Sequence, residues 1–299
     1  MGTPDTRWYA DAIAANPKVT NFTISTADEL AGLAEIVNLK KDNFSGKNIM
    51  LAGNIDLSAY ENWVPIGIYA NDEAKSFSGT FDGFGHTISR LTINSQDSHK
   101  GLFGFICSGK VKNLGLECIV ICGGDHIGGL AGGIGNYASL TACYSTGAVK
   151  GTDKIGGLVG NVSNNSNITA CYSICTVTAA SRAGGLAGAV SYSDLAGCAA
   201  LNPEVKGNGL HGRVAASVDS RYAVSNNIAF SDMQRGDGTS KWQRKGAGAV
   251  DGADITAASI KSDPTLGGRF TPADGWTTEP GGLPGLGGRP APMPEHLTT

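Results

Sequence analysis

Apolar positions along this chain come in short runs that alternate with small or polar residues, and Gly, Asn, Ser and Asp fill the gaps between runs. A period of two, with Val, Ile, Thr and Tyr abundant in the runs, predicts half-buried β-strands joined by tight turns. Segments such as residues 156–162 and 184–190 carry too much glycine for stable helices. One stretch departs from the pattern. In residues 26–38, Leu30, Leu33, Ala34 and Val37 recur at helical spacing, and Thr26 stands three residues before Glu29, the signature of a capping box. A helix is expected there, serving as a lid over whatever the strands build.

The strands repeat. Gly101-Leu102-Phe103-Gly104, Gly129-Leu130-Ala131-Gly132, Gly157-Leu158-Val159-Gly160 and Gly185-Leu186-Ala187-Gly188 follow at a step of 28 residues, and Gly209-Leu210-His211-Gly212 reads as a worn fifth copy at a step of 24. A second element travels with the first. Leu140-Thr141-Ala142-Cys143-Tyr144-Ser145 is matched by Ile168-Thr169-Ala170-Cys171-Tyr172-Ser173 and, more loosely, by Leu195-Ala196-Gly197-Cys198-Ala199-Ala200, while Val111-Lys112-Asn113-Leu114 fills the slot in the first copy. Units of 28 residues are too short for the four strands of a propeller blade, which takes ~40. Each unit therefore makes one coil of a solenoid, with equivalent strands stacked in parallel at ~4.8 Å per coil. Ile106, Ile134, Val162 and Val190 become one interior ladder, and Leu140, Ile168 and Leu195 another. The small Cys143, Cys171 and Cys198 suit a narrow interior that a large side chain would overpack.

The predicted fold is all-β: a right-handed parallel β-helix with a short N-terminal capping helix. Residues 1–45 form the N-terminal cap, residues 46–230 the β-helix with its repeats at about 101–212, and residues 231–299 a C-terminal capping segment. The end of that segment, with four prolines from Pro284 to Pro294, reads as edge cover or linker.

Composition narrows the function. The 44 glycines in 299 residues are spread as punctuation, neither at every third residue nor pooled in one tail, which excludes collagen. A net charge of -3 without clustered Lys and Arg gives no footprint for nucleic acid. No run reaches the ~18 apolar residues of a membrane span, so direct membrane insertion is not expected. Residues 1–5 carry no signal segment, which fits either a cytoplasmic protein or a mature export product restarted with Met. Seven cysteines without zinc-type spacing do not form a disulfide framework. Cys118 and Cys122 are close enough in sequence for a local bridge, yet thiols in such a chain behave first as small hydrophobes.

The repeats resemble the GLUG family, named for its Gly-Leu-bulky-Gly core and found in large bacterial surface and secreted proteins, including non-catalytic parts of IgA-specific metallopeptidases. The flanks are similar too: Trp8-Tyr9, residues 23–34, Asp56-Leu57, residues 63–67 and residues 77–88 look like the segment that leads into such repeats, and residues 251–255 and 283–286 like the one that closes them. The resemblance covers most of residues 8–230. It implies a β-helix, export and surface display, and an adhesive or unassigned role.

Motifs for chemistry are absent. None of the five histidines belongs to a His-Glu-x-x-His pair, and there is neither a Gly-x-Ser-x-Gly elbow nor a phosphate-cradling loop. No catalytic or cofactor-binding residue is assigned. The repeat register does align Asp97, Asp125 and Asp153 as a carboxylate column, continued by Ser181, and beside it Ser98, His126, Lys154 and Arg182. Stacked carboxylates repel one another and call for counterions, solvent or a cation such as calcium, although Asp and Ser also simply suit turns. Tyr144 and Tyr172 share a repeat position and could offer aromatic faces to a sugar, or pack along their own ladder. The expected function is a non-catalytic, secreted or cell-surface module that binds glycans, extracellular matrix or host surface proteins. The alternatives are a carbohydrate-active enzyme, lyase or glycosidase, and a purely structural spacer.

Overall fold

The computed structural model describes residues 2–69, 73–219 and 224–298. Its organising feature is a parallel ladder of eight strands at successive coils: Asn21–Ile24, Asn48–Leu51, Thr80–Asp82, Lys110–Cys122, Ser139–Gly151, Asn167–Thr169, Asp194–Ala196 and Val224–Ser225. A second face stacks Phe103–Cys107, Ala131–Gly135, Val159–Ser163, Ala187–Ser191 and Ala215–Val218. Short strands from Ile127–Gly128 to His211–Gly212 make a third. The protein is a parallel β-helix.

The interior ladders form as the repeat predicts. Ile106, Ile134, Val162 and Val190 lie on consecutive rungs and are buried, as are Leu140, Ile168 and Leu195. The Cys143 backbone N–H lies 3.4 Å from Cys171 Sγ on the next rung. All seven cysteines are free thiols, and burial between Cys143 and Cys198 pushes the Cys171 thiol well above its usual range. Coils approach closely at the motif glycines: a Cβ on Gly160 would lie 2.5 Å from the Gly132 carbonyl oxygen.

The fifth repeat differs from its expected place. His211 pairs with Ala183, Gly212 with Gly184 and Ala215 with Ala187, all at the full step of 28. The fifth copy is therefore Arg213-Val214-Ala215-Ala216, and Gly209-Leu210 belongs to the turn before it. Arg213 stands one step beyond Gly185, where the stack ends. Its guanidinium is fully buried, donating to the carbonyls of Asp251, Phe230 and Gly252 and to the Asp254 carboxylate at 2.7 Å. This side chain plugs the open end of the solenoid by satisfying backbone acceptors that no further coil would reach.

The N-terminal lid is a helix over Ala27–Asn38. Thr26 Oγ1 accepts from the Glu29 N–H at 3.2 Å and the Glu29 carboxylate accepts from the Thr26 N–H at 3.0 Å, the reciprocal capping box. Leu30, Leu33, Ala34 and Val37 are buried. A further helix, Arg7–Ala15, seats Trp8 and Tyr9 against Phe22 and Phe44.

The C-terminal segment is a docked strap. After a short helix at Ala257–Ser262, the chain runs back along the coils, burying Phe270, Trp276, Leu283, Leu286 and Leu297. It reaches Gly85 through Gly287, whose Cβ would lie 2.5 Å from the Gly85 carbonyl oxygen, then returns so that a His296 ring nitrogen lies 2.7 Å from the Leu201 carbonyl.

Candidate functional site

The strap decides the fate of the tyrosines. Tyr144 and Tyr172 stack at 5.0 Å and 3° between rings, as the repeat predicts, but they are 2% and 0% exposed beneath Trp276 and Phe270. The expectation that they offer faces to a sugar is corrected: the strap occupies those faces. The Tyr172 hydroxyl donates to the Pro284 carbonyl at 2.7 Å and the Tyr144 hydroxyl to Glu117 at 2.6 Å, and burial raises both phenols above their usual range.

The carboxylate column also changes. Asp125 and Asp153 occupy adjacent rungs, with the His126 N–H donating to the Asp153 carbonyl at 2.8 Å. Asp97 does not join them. Lys100 pairs with Ile127, a step of 27, so that Ser98 fronts Asp125 and Asp97 lies against Gly124. The cause is local: the first copy reads His99-Lys100-Gly101-Leu102, the second His126-Ile127-Gly128-Gly129-Leu130, with one more glycine. Asp97 pairs with Lys100 at 3.3 Å, and the Asp153 carboxylate takes the Arg182 Nε at 2.7 Å, which holds its pKa down to about 2. Among the described residues no three of His, Cys, Asp and Glu converge on a cation position. The three aspartates aligned by the repeat step, for which calcium was one of several possible counterions, are not gathered into one column.

The same shift builds a different column. His99, not Ser98, lies beside His126, their rings stacked at 4.5 Å and 6°. Tyr69 stacks on the other face of His99 at 4.3 Å and 9°, and Lys154 continues the column on the next rung. His99, His126 and Lys154 all adopt the left-handed turn conformation, with φ of 57°, 58° and 55°, so one corner geometry is kept over three rungs. Phe105 meets Tyr69 edge to face at 4.9 Å. Its ring lies beside Gly133 and Gly135, where added Cβ atoms would come within 3.0 Å, so the bare glycines make room for it.

Together these residues wall a groove of about 370 Å³ that runs over the second face. Its floor holds Asn161 and Ser163, and its far wall is an amide ladder: Asn164 Nδ2 donates to Asn136 Oδ1 at 3.0 Å, and Asn136 Nδ2 to Glu73 at 2.8 Å. Of the residues singled out in the sequence, His126 and Lys154 line this groove, whereas Arg182 is committed to Asp153. Tyr69, Glu73, His99, Phe105, Asn136, Asn161 and Asn164 were not anticipated. Asn136 and Asn164 keep the 28-residue step and could have been found from it.

Burial and neighbouring cations lower the pKa of His99 to about 4, and burial followed by Lys154 lowers that of His126. Between pH 6.5 and about 4 the unfolded chain takes up a proton at His99 that the folded chain refuses, so this group's contribution to stability is present above that window and is lost as pH falls through it. Denaturant midpoints measured from pH 7 to 4 are expected to fall less in His99→Gln than in the wild type. Equal slopes would count against a half-buried His99 held neutral by its surroundings.

No family model matches the sequence. Over 142 aligned residues the chain is 32% identical to halomucin of Haloquadratum walsbyi, covering 44% of this chain and 2% of that protein. The chain thus spans a small fraction of the length of that relative. A crystal structure of a candidate immunoglobulin A1 protease from Bacteroides ovatus superposes with a TM-score of 0.70 at 18% identity, covering 90% of this chain and 93% of that one. At that identity the likeness is one of fold.

Proposed function

We infer that this chain is a non-catalytic, saccharide-binding β-helix module of GLUG-repeat type, belonging to a secreted or surface-displayed protein. One observation carries the reading: the groove sets a stacked aromatic wall, ending in Tyr69 at 57% exposed, opposite a ladder of side-chain amides. Rings suit the apolar face of a sugar, and amides exchange hydrogen bonds with its hydroxyls in both directions. Rungs at ~4.8 Å repeat these groups along the rod axis, the direction an extended saccharide would follow. The alignment with halomucin supports a surface setting.

An enzyme acting through two carboxylates needs both at controlled separation across the bond. Glu73 is the single carboxylate among the groove's described lining residues, which favours binding over hydrolysis.

A glycan and matrix-protein array, run alongside a polysaccharide-degradation screen, tests this. The expected result is retention of saccharides without release of products, with Tyr69→Ala weakening binding about tenfold, equivalent to about 1.4 kcal/mol. Released products would support the enzyme reading, and binding unaffected by Tyr69→Ala would remove the groove from the account.

A further inference from the structure

Lys154 is the only Lys or Arg among the described groove-lining residues, and its ammonium has no ion-pair or hydrogen-bond partner among the described residues. The nearby carboxylate of Asp153 is taken by Arg182 through Nε and a second guanidinium nitrogen. Burial and the Arg182 charge both act against the protonated Lys154, and they outweigh Asp153 and Asp125. On the preceding rung, His126 Nδ1 is buried without a partner. An unpaired buried N–H is costlier than an unpaired lone pair, so the neutral ring keeps its proton on Nε2. The imidazole wall therefore presents an ammonium and an N–H donor, while the groove's one described carboxylate, Glu73, is held on the opposite wall by Asn136. Donors and positive charge on one side, with negative charge on the other, fit a ligand that carries an anionic group at a fixed edge of the sugar.

We propose that the groove selects acidic saccharides, with a uronate carboxylate held between Lys154 Nζ and His126 Nε2–H while Tyr69 and Phe105 carry the ring. This inference rests on the saccharide reading above and adds the charge of the ligand to it. Neutral sugars lose the charge-assisted contacts and leave the Lys154 ammonium uncompensated.

The test titrates the full chain with oligogalacturonate, oligomannuronate and hyaluronan fragments, each beside its neutral methyl-esterified or carboxyl-reduced counterpart. The expected result is that at least one acidic oligomer binds about tenfold tighter than its neutral counterpart. Lys154→Gln should abolish that difference by weakening the acidic oligomer, and an unchanged circular-dichroism spectrum and thermal midpoint show that the variant folds. Lys154→Arg should retain it, and added salt should narrow it. Equal affinity for acidic and neutral members, or a preference that survives Lys154→Gln, overturns the charge assignment and leaves the saccharide reading standing. Failure of every oligomer to bind overturns both.

Discussion

Replacing Trp276 by alanine is expected to cost about 3–5 kcal/mol of stability, the range for deleting a large buried aromatic side chain. Trp276 is 2% exposed and meets Phe270 at 5.0 Å, Tyr172 at 5.6 Å and Tyr144 at 6.4 Å between ring centres. It is the residue through which the strap grips the tyrosine ladder. Denaturant unfolding gives the energy, and alkaline titration of tyrosine absorbance gives a local readout. In the wild type, burial raises the Tyr144 and Tyr172 phenols, so in Trp276→Ala both should ionise at lower pH than before. A variant with unchanged stability and unchanged tyrosine titration would mean that the strap does not cover the ladder.

Arg213→Met should cost a similar amount, about 3–5 kcal/mol, because it removes the donor from several buried carbonyls at about 1–3 kcal/mol each. The methionine fills much of the volume but leaves the carbonyls of Asp251, Phe230 and Gly252 without their donor. A built-in control separates this from surface charge: Lys245 also pairs with Asp254, at 2.9 Å, but is exposed, so Lys245→Met should cost no more than about 1 kcal/mol. Equal effects of the two substitutions in thermal unfolding would argue that Arg213 does not seal the end of the coil stack.

The coil architecture was legible because a parallel solenoid makes sequence periodicity equal to spatial neighbourhood. Ile106, Ile134, Val162 and Val190 share a repeat position and therefore a ladder. Register was less legible where two one-residue changes cancel. Asn94 and Cys122 keep a step of 28, Lys100 and Ile127 a step of 27, and Phe103 and Ala131 a step of 28 again. Alignment on Gly-Leu alone passes over that excursion, and it is the excursion that brings His99 rather than Ser98 beside His126. The worn fifth repeat misled for a related reason, since Arg213 replaces the glycine that marks the motif. The end of the capping segment reads as edge cover or linker, and its docked path was not legible because the anchoring apolar residues Leu283, Leu286 and Leu297 follow no period among the Pro and Gly. The helix at Arg7–Ala15 lacks a side-chain cap at Thr6, so its local signal is weak. Tyr69, which completes the groove wall, lies outside the repeats.

The central claim is that a saccharide lies on the Tyr69–His99–His126 wall and not on the buried tyrosine ladder. Its most direct measurement is aromatic NMR of the full chain during titration with the tightest-binding oligosaccharide of the array. The ring signals of Tyr69, His99, Phe105 and His126 are expected to move in proportion to occupancy while those of Tyr144 and Tyr172 stay fixed. Movement of the Tyr144 and Tyr172 signals with a silent imidazole pair would contradict it.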